Sequence, residues 1–174
     1  MDYWYVINQK SDINFTIGSM FSNQQFDSDI FQFFSESNYI YDPTPIINGG
    51  IDSNDVNYTF NDTYLGIHYR YKTGIFTFTP GISAHTYSTK NEQLGVEYKD
   101  NFFRFLPDFN TRIQLKKSEQ VTLNYRMQTQ FTDVSNFASG LILNSYGSLY
   151  SGNPDLASAL SHNVNLSYFS FNMF

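Results

Sequence analysis

The sequence predicts an all-β fold, an antiparallel up-and-down meander that forms part of a transmembrane β-barrel. Three observations support this prediction. Long runs of residues alternate between apolar and polar side chains, the connections between the runs alternate between short and long, and no apolar run approaches the roughly 20 residues of a membrane helix. Of the 174 residues, 19% are aromatic and only 15% are charged, against about 25% charged in ordinary soluble domains. We expect one domain that spans residues 1–174.

The clearest strand pair covers residues 103–132. Residues 109–115 and 121–131 both alternate between an apolar and a polar side, and the lysine-containing turn 116–119 joins them. Period-2 alternation indicates a β-strand with two different environments. A soluble sheet turns its apolar side inward, whereas an outer-membrane barrel turns it toward lipid, so this hairpin alone leaves both possibilities open.

The order of the connections favours the barrel. The predicted strands are residues 2–8, 12–22, 57–72, 75–89, 94–116, 120–132 and 161–173. The predicted connections are short turns at 9–11, 72–74 and 116–119, a medium one at 90–93, and long loops at 23–56 and 133–160. Short turns at one end and long loops at the other are typical of a transmembrane barrel.

Two local features add detail to this prediction. The loop 23–56 carries six acidic residues, no Lys or Arg, and many aromatic residues, and we expect it to pack on the barrel rim or to line a ligand surface. Pro80 and Gly81 interrupt the fourth predicted strand, which favours a bulge or an edge position there.

The composition argues against several classes of function. Cysteine is absent, so disulfides and thiolate metal sites are excluded. The net charge is -6 and no basic stripe is present, which argues against a nucleic-acid partner. His68, His85 and His162 lie far apart in the sequence, so we expect no metal site and no cofactor. No nucleophile elbow is present, and we expect no enzymatic activity.

The polar sides of the predicted strands would face a barrel lumen. The lumen-facing candidates for binding are His68, Arg70, Arg112, Asn124, Arg126 and Gln128. These side chains either pair with one another and with water or contact a substrate on its way through the barrel. Pairing is the simpler interpretation of any one of them.

Four segments together resemble the TonB-dependent outer-membrane receptors. They are residues 105–109 (FLPDF), 121–125 (VTLNY), 151–156 (SGNPDL) and 161–168 (SHNVNLSY). The resemblance implies a multi-pass protein of a Gram-negative outer membrane that imports a scarce nutrient, such as a metal chelate or a glycan. It also implies three partners: membrane lipid, a TonB-type energy-coupling protein that acts through a plug, and a surface lipoprotein.

The match to these receptors is partial. Their barrels have about 22 strands, so with seven predicted strands we expect this chain to be a piece of a larger barrel. Residues 157–159 (ASA) stand where the receptors tend to have Pro-Glu, which puts the anchoring of this loop in doubt.

Two other interpretations remain open at this point. One is a complete small barrel of about eight strands, an anchor or adhesin whose terminal aromatic residue is Phe174. The other is a soluble β-sandwich that binds carbohydrate through Trp4 and the tyrosines. A sandwich would cover the apolar side chains with a second layer, whereas a barrel leaves them exposed. The side chains that test this are Leu65, Ile113, Leu123 and Leu166.

Overall fold

The computed structural model describes residues 1–34, 39–41 and 51–171. Seven strands form one antiparallel sheet: β1 (Asp2–Asn8), β2 (Ser11–Asp29), β5 (Ser53–Thr73), β6 (Phe76–Gln93), β7 (Val96–Lys116), β8 (Glu119–Gln130) and β11 (Ala159–Ser170). Two small hairpins, β3 (Gln32–Phe34) with β4 (Tyr39–Tyr41) and β9 (Leu141–Ser145) with β10 (Ser148–Ser151), lie in the long connections. A short 3₁₀ helix covers Val134–Phe137.

The predicted all-β antiparallel meander is confirmed. Each of the seven strands pairs with its neighbour in the order β1-β2-β5-β6-β7-β8-β11. The outermost strands, β1 and β11, do not pair with each other, so the barrel is not closed by the described residues. Within those residues, no helix has the length and apolarity to cross a membrane.

The strand register gives the sheet two chemically different faces. One row crosses all seven strands and consists of Trp4, Asn14, His68, Gly81, Asp108, Arg126 and Asn163. We call the face that carries this row the inner face and the opposite one the outer face. We call the end of the sheet near Lys10, Lys72 and Lys117 the turn end and the other the loop end.

Large apolar side chains lie exposed on the outer face near the turn end. Leu65 is 57% exposed and Leu166 is 70% exposed, while Ile113 and Leu123 are half-buried. No second layer of the described chain covers them, as a β-sandwich would require. The outer face is therefore that of a barrel wall rather than one half of a sandwich.

The long strands extend well beyond this apolar region. β2, β5, β6 and β7 contain 19, 21, 18 and 21 residues, about twice the 9–11 that cross a bilayer. In their loop-end halves the polarity of the faces is reversed. The outer row Asn61, Ser88 and Asn101 is polar and only its β2 member, the exposed Phe21, is apolar, whereas Phe60, Tyr87 and Phe102 point to the inner face.

The prediction of the connections was wrong at both ends of the first long loop and at the turn between β6 and β7. Residues 23–29 and 53–56 belong to β2 and β5, so the first loop is shorter than predicted, and its residues 35–38 and 42–50 lie outside the described residues. Residues 90–93 belong to β6, and the turn to β7 is Leu94-Gly95, with φ of 50° and 78°. Positive φ at both positions is typical of a tight hairpin turn.

The predicted bulge or edge position at Pro80 and Gly81 is wrong, because the register of β6 with β5 is the same on both sides of them and β6 is not an edge strand. β6 lies between β5 and β7, and Pro80 pairs in register with Phe109 of β7. The β5 ladder is interrupted beside Pro80, where Tyr69 and Arg70 have no paired residue on β6. Proline lacks an N–H, so a one-sided gap in the ladder suffices to accommodate it in a central strand.

The connection from β8 to β11 folds back over the sheet. This stretch, residues 131–158, is called the return segment below. It holds the 3₁₀ helix and the β9–β10 hairpin, where the sequence predicted an open loop at 133–160. It covers the loop-end half of the inner face and completes the buried core there, which comprises Val56, Tyr58, Phe60, Tyr87, Phe137, Ala138 and Ile142.

Candidate functional site

The structure places all six candidate binding residues on the inner face. His68 and Arg70 lie on β5, Arg112 lies on β7, and Asn124, Arg126 and Gln128 lie on β8. They do not converge on one point. His68, Arg126 and Gln128 line a cavity of about 440 Å³ in the middle of the sheet. Arg70 and Arg112 line one of about 410 Å³ at the turn end, and Asn124 lines neither of these two. That any of them binds a ligand stays a prediction.

His68 and Asp108 form a pair that spans the strand between them. His68 Nε2 lies 3.0 Å and 3.2 Å from the two carboxylate oxygens of Asp108. The residue between them on β6 is Gly81, and a Cβ there would lie 2.7 Å from Asp108 Oδ1. Gly81 is therefore needed for close approach, since only glycine leaves the space in which the two side chains meet.

The turn end of the inner face is rich in positive charge. The Arg70 guanidinium donates to the buried Asp12 carboxylate, with Nε 2.7 Å from Oδ2. Lys72 and Arg112 lie on either side of Thr77 in one cross-strand row. Among the described residues neither of these two cations has a carboxylate within 4.0 Å. This end of the inner wall therefore suits polar or negatively charged groups.

His85 is held more tightly than His68 and His162. Its Nδ1 lies 2.9 Å from Asp62 Oδ1, and its Nε2 lies 3.0 Å from Ser83 Oγ. The rings of Tyr64 and Tyr87 stack against the imidazole, with centroids 5.0 Å and 5.4 Å away. Both ring nitrogens and the ring face are thus engaged by the protein, which favours a structural role in the wall.

Aromatic contacts attach the return segment to the inner face. The Phe137 ring stacks on Tyr58 with centroids 4.7 Å apart, and Phe131 meets Phe60 edge to face at 4.5 Å. Phe131 also contacts Tyr87 and Phe102. Such pairs bury large apolar areas and add a geometric preference of their own. They fix the return segment at one position over the sheet.

Two amide side chains provide the polar part of this attachment. Gln93 donates through Nε2 to the Phe137 carbonyl at 2.8 Å and accepts from the Ser139 backbone N–H at 2.9 Å. Asn54 donates to the Leu141 carbonyl at 3.0 Å and accepts from the Gly140 N–H at 2.8 Å. Both amides are buried, and each satisfies one donor and one acceptor of the return segment.

The far end of the return segment is anchored by Arg104 and Gly152. Arg104 Nη2 donates to Ser158 Oγ at 2.9 Å while its guanidinium lies over the Phe102 ring. Gly152 donates its N–H to the Ala138 carbonyl at 2.7 Å. A Cβ at Gly152 would meet the Asn136 backbone, so glycine is needed here for close packing rather than for freedom at a loop tip.

A cavity of about 240 Å³ lies between the return segment and the sheet. Tyr58, Tyr98, Phe102, Phe131 and Phe137 supply its aromatic walls. Its polar walls are Thr89, Asn91, Asp100, Asp155 and Ser158. Aromatic and polar groups come together in this cavity, which we call the loop-end cavity.

Sequence reasoning missed the residues of the loop-end cavity. Asn91 was assigned to a connection because Lys90, Asn91 and Glu92 form a polar run. One signal was present: the alternation of β6 continues past Thr89, with Asn91 and Gln93 on the inner face and Lys90 and Glu92 on the outer face. Nothing in the sequence indicated that residues 154–158 would close over these positions.

Within residues 1–34, 39–41 and 51–171, no group of three or more His, Cys, Asp or Glu side chains is arranged to hold a metal ion.

The comparisons place the chain in a family. No curated protein and no solved structure matches the chain. The family model described as "Outer membrane protein beta-barrel family" matches residues 1–174. With its exposed apolar outer face, its polar inner face and this match over the whole sequence, the chain belongs to the outer membrane protein beta-barrel family.

Proposed function

We propose that the protein is part of an outer-membrane barrel that imports a scarce nutrient with energy from a TonB-type coupling protein. The strands would each cross the membrane at the level of the exposed apolar side chains, with the long connections outside the cell. The observation that carries the proposal is the inner-face row that crosses all seven strands, in which five of the seven residues are polar.

The open edges of the sheet support a wide barrel. β1 and β11 each have one unpaired edge among the described residues. An unpaired strand edge in lipid leaves N–H and C=O groups unsatisfied, at a cost of several kcal/mol per group. In the proposed function further strands would pair with these edges, and a barrel of more than about 16 strands would enclose a lumen that admits a substrate or a plug.

The polar inner wall supports passage of a hydrophilic substrate. Arg112 and Arg126 extend from neighbouring strands and have no carboxylate within 4.0 Å among the described residues. Free guanidinium groups on a lumen wall are available to bind a plug or a cargo. Membrane lipid on the outer face, a plug in the lumen and a surface lipoprotein at the loop end are the partners that this function implies.

An uptake experiment tests the proposal. Cells that lack the protein would be complemented with the wild type, with the Arg112→Ala/Arg126→Ala variant, or with Asn101→Ala on the outer face as a control. Growth would be measured with ferric citrate as the sole iron source and, separately, with maltodextrin or xylan as the sole carbon source. We expect the wild type and the control to restore growth on at least one nutrient and the double variant to restore less.

The energy source is tested in the same cells. We expect uptake of that nutrient to stop when a protonophore removes the proton gradient or when the TonB-type protein is deleted. Uptake that continues under both conditions would show a passive channel. Normal growth of cells without the protein on every nutrient offered, with the protein abundant at the surface of the wild type, would contradict an import role.

A further inference from the structure

His85 joins two other side chains of the inner face into one chain of hydrogen bonds. Its Nδ1 lies 2.9 Å and 3.0 Å from the two carboxylate oxygens of Asp62, and its Nε2 lies 3.0 Å from Ser83 Oγ. The three groups thus follow the order carboxylate, imidazole, hydroxyl. Enzymes that use a serine as nucleophile have the same order, and such sites are recognised by their geometry rather than by their position in the sequence.

The strand register explains why this arrangement needs no specialised turn. Ser83 and His85 are two residues apart on β6, so both side chains lie on the inner face. Asp62 lies on the neighbouring strand β5, opposite Tyr87, and therefore diagonally across from His85. A nucleophile elbow exposes its serine on a turn between a strand and a helix, whereas here paired strands bring the three groups together.

The carboxylate fixes which imidazole nitrogen carries the proton. An ionised carboxylate only accepts hydrogen bonds, so Nδ1 of His85 must donate to Asp62. In the neutral ring Nε2 is then an acceptor, and it faces the Ser83 hydroxyl. That hydroxyl has two acceptors within reach, Nε2 at 3.0 Å and the Leu106 carbonyl at 3.3 Å. The imidazole is the nearer one, so the Ser83 proton is placed to pass to His85.

The surroundings of the imidazole keep it in one orientation. The rings of Tyr64 and Tyr87 stack against it, and the side chains of His85 and Asp62 are only 14% and 11% exposed. This rigidity suits a structural role in the wall. It suits a general base equally well, because a base must keep a fixed geometry to the group whose proton it takes.

The Ser83 hydroxyl is accessible from the cavity of about 440 Å³ in the middle of the sheet, called the mid-sheet cavity below. Ser83 is half-buried and lines this cavity, whose volume lies in the range of ligand pockets. Its neighbour on β5 is Gly66, which has no side chain to cover the hydroxyl. The apolar part of the cavity wall comes from Tyr64, Tyr87, Leu106 and Met127. A short acyl or aryl group suits such a wall.

Two side chains that carry N–H groups line the same cavity. They are Arg126 and Gln128 of β8, and Arg126 has no carboxylate within 4.0 Å among the described residues. When a nucleophile attacks an ester, negative charge develops on the carbonyl oxygen, and guanidinium or amide donors stabilise it. The mid-sheet cavity therefore combines an activated hydroxyl with donors of the type that a developing oxyanion requires.

We propose that Ser83, His85 and Asp62 form a catalytic triad that hydrolyses small carboxylic esters in the mid-sheet cavity. Ser83 Oγ attacks the carbonyl carbon while its proton passes to His85 Nε2. The bond from that carbon to the alcohol oxygen breaks, and His85 gives the proton to the leaving alcohol. Water then attacks the acyl-serine in the same way, which releases the acid and restores the hydroxyl. Ser83 is the nucleophile, His85 the general base, and Asp62 a positioning residue that acts through His85.

Two assays on the full protein in detergent micelles test the proposal. A fluorescent fluorophosphonate forms a phosphorus–oxygen bond to an activated serine and loses fluoride. Hydrolysis of p-nitrophenyl butyrate is followed by the absorbance of its phenolate product. We expect the fluorophosphonate on Ser83, located by mass spectrometry, and hydrolysis faster than in micelles alone. Ser83→Ala should remove the label and lower hydrolysis to the rate of the micelles.

Two variants distinguish the triad from a general effect on the wall. Ser88→Ala changes an exposed serine on the outer face of β6 and should behave like the wild type. Asp62→Asn should lower kcat by about a hundredfold or more and leave KM within about twofold, because it favours the wrong imidazole tautomer. Circular dichroism shows which variants keep the strand content of the wild type. A role of Asp62 in folding alone would not lower kcat at unchanged KM.

A thiol at position 83 tests the base even where Ser83→Ala does not fold. The 174 residues contain no cysteine, so Ser83→Cys introduces the only thiol among them. Iodoacetamide alkylates a thiolate with loss of iodide, and an adjacent imidazole assists by taking the proton. We expect Ser83→Cys to react at least about tenfold faster than Ser83→Cys/His85→Gln, in which the thiol is the same but the base is absent.

Other outcomes would overturn the proposal. They are a fluorophosphonate label that is absent or lies on another serine, equal hydrolysis by Ser83→Ala and the wild type, and equal alkylation with and without His85. Any of these would leave the three side chains as a structural network of the wall. The triad and import fail separately, because ester hydrolysis without energy-dependent uptake refutes only import, and uptake without a label on Ser83 refutes only the triad.

Discussion

The two halves of the long strands have opposite polarity. In the turn-end half, apolar side chains such as Ile67 and Ile82 lie on the outer face and polar ones such as His68 and Asp108 on the inner face. In the loop-end half, aromatic side chains lie on the inner face beneath the return segment, and Asn61 and its neighbours lie outward. The outer face of one set of strands thus suits two solvents, an apolar one around the first half and water around the second.

The largest expected effect concerns the core of the loop-end half. Phe137→Ala removes the ring that stacks on Tyr58 and should lower the free energy of opening of the return segment by about 3–5 kcal/mol. Hydrogen exchange of residues 131–158 in detergent measures it. Leu143→Ala, at an exposed position of β9, should change the same free energy by less than about 0.5 kcal/mol. Equal protection in both variants would mean that the return segment is not held by this core.

Arginine scanning of the outer face tests where lipid ends. Ile67→Arg places a charge among the apolar side chains of the turn-end half and should lower the free energy of unfolding by about 2–4 kcal/mol. Asn61→Arg lies six residues along β5 on the same face, and we expect a change of about 0–1 kcal/mol there. Chemical unfolding in lipid vesicles, followed by circular dichroism, measures both. Similar costs at the two positions would contradict the division of the strands into two halves.

The division also explains what the sequence revealed and what it did not. In the turn-end half, apolar side chains lie on the outer face and polar ones on the inner face. The alternation therefore sufficed to predict one shared face for six residues: His68, Arg70, Arg112, Asn124, Arg126 and Gln128. In the loop-end half the alternation has the opposite sense: the aromatic side chains lie on the inner face, and outer positions such as Asn61, Ser88 and Asn101 are polar. Residues 23–29 and 90–93 therefore resembled loops, although they pair in long strands.

The loop-end cavity could not be predicted for a different reason. Its walls come from β5, β6, β7 and the return segment, and the contacts join residues such as Asn91 and Pro154 that lie 63 positions apart. Strand periodicity reports which side a residue faces but not which distant segment covers that side. The acceptors Gln93 and Asn54 fix the return segment only once the strands have paired.

A smaller effect is expected at Gly81 in the turn-end half, where the absence of a side chain leaves room for the His68–Asp108 pair. Gly81→Ala places a Cβ against the His68 ring and 2.7 Å from Asp108 Oδ1, so the His68–Asp108 pair must move apart, at a cost of about 1–3 kcal/mol in unfolding free energy. Gly66→Ala is the matched control, because a Cβ there would have its nearest neighbour at 3.6 Å, an ordinary contact. The same unfolding assay compares the two variants.

A double variant identifies the cause of that cost. If crowding by His68 is responsible, His68→Ala/Gly81→Ala should be more stable than the sum of the two single effects predicts, by about 0.5 kcal/mol or more. Additive effects would instead attribute the loss to the β6 backbone. That result would remove the argument that Gly81 exists to let the inner-wall pair form.

The smallest expected effect is electrostatic and concerns Asp133, which caps the 3₁₀ helix of the return segment. The backbone N–H and the hydroxyl of Ser135 donate to its carboxylate, and these hydrogen bonds hold the pKa of Asp133 below its usual range. A carboxyl whose pKa is lower in the folded state stabilises that state above the unfolded pKa of about 3.9, and loses the contribution as pH falls through the folded value. Protection of the 3₁₀ helix should therefore weaken below about pH 4.

Asp133→Asn isolates this contribution, because asparagine retains a capping oxygen without a titrating charge. Hydrogen exchange of residues 134–138 would be compared between the variant and the wild type at each pH, so that intrinsic exchange rates cancel. We expect the wild type to be the better protected at pH 7 and the difference to vanish as the pH falls below about 4. A ratio that stays constant with pH would show that the ionised carboxylate does not anchor the return segment, and that its attachment depends on the aromatic core and the buried amides.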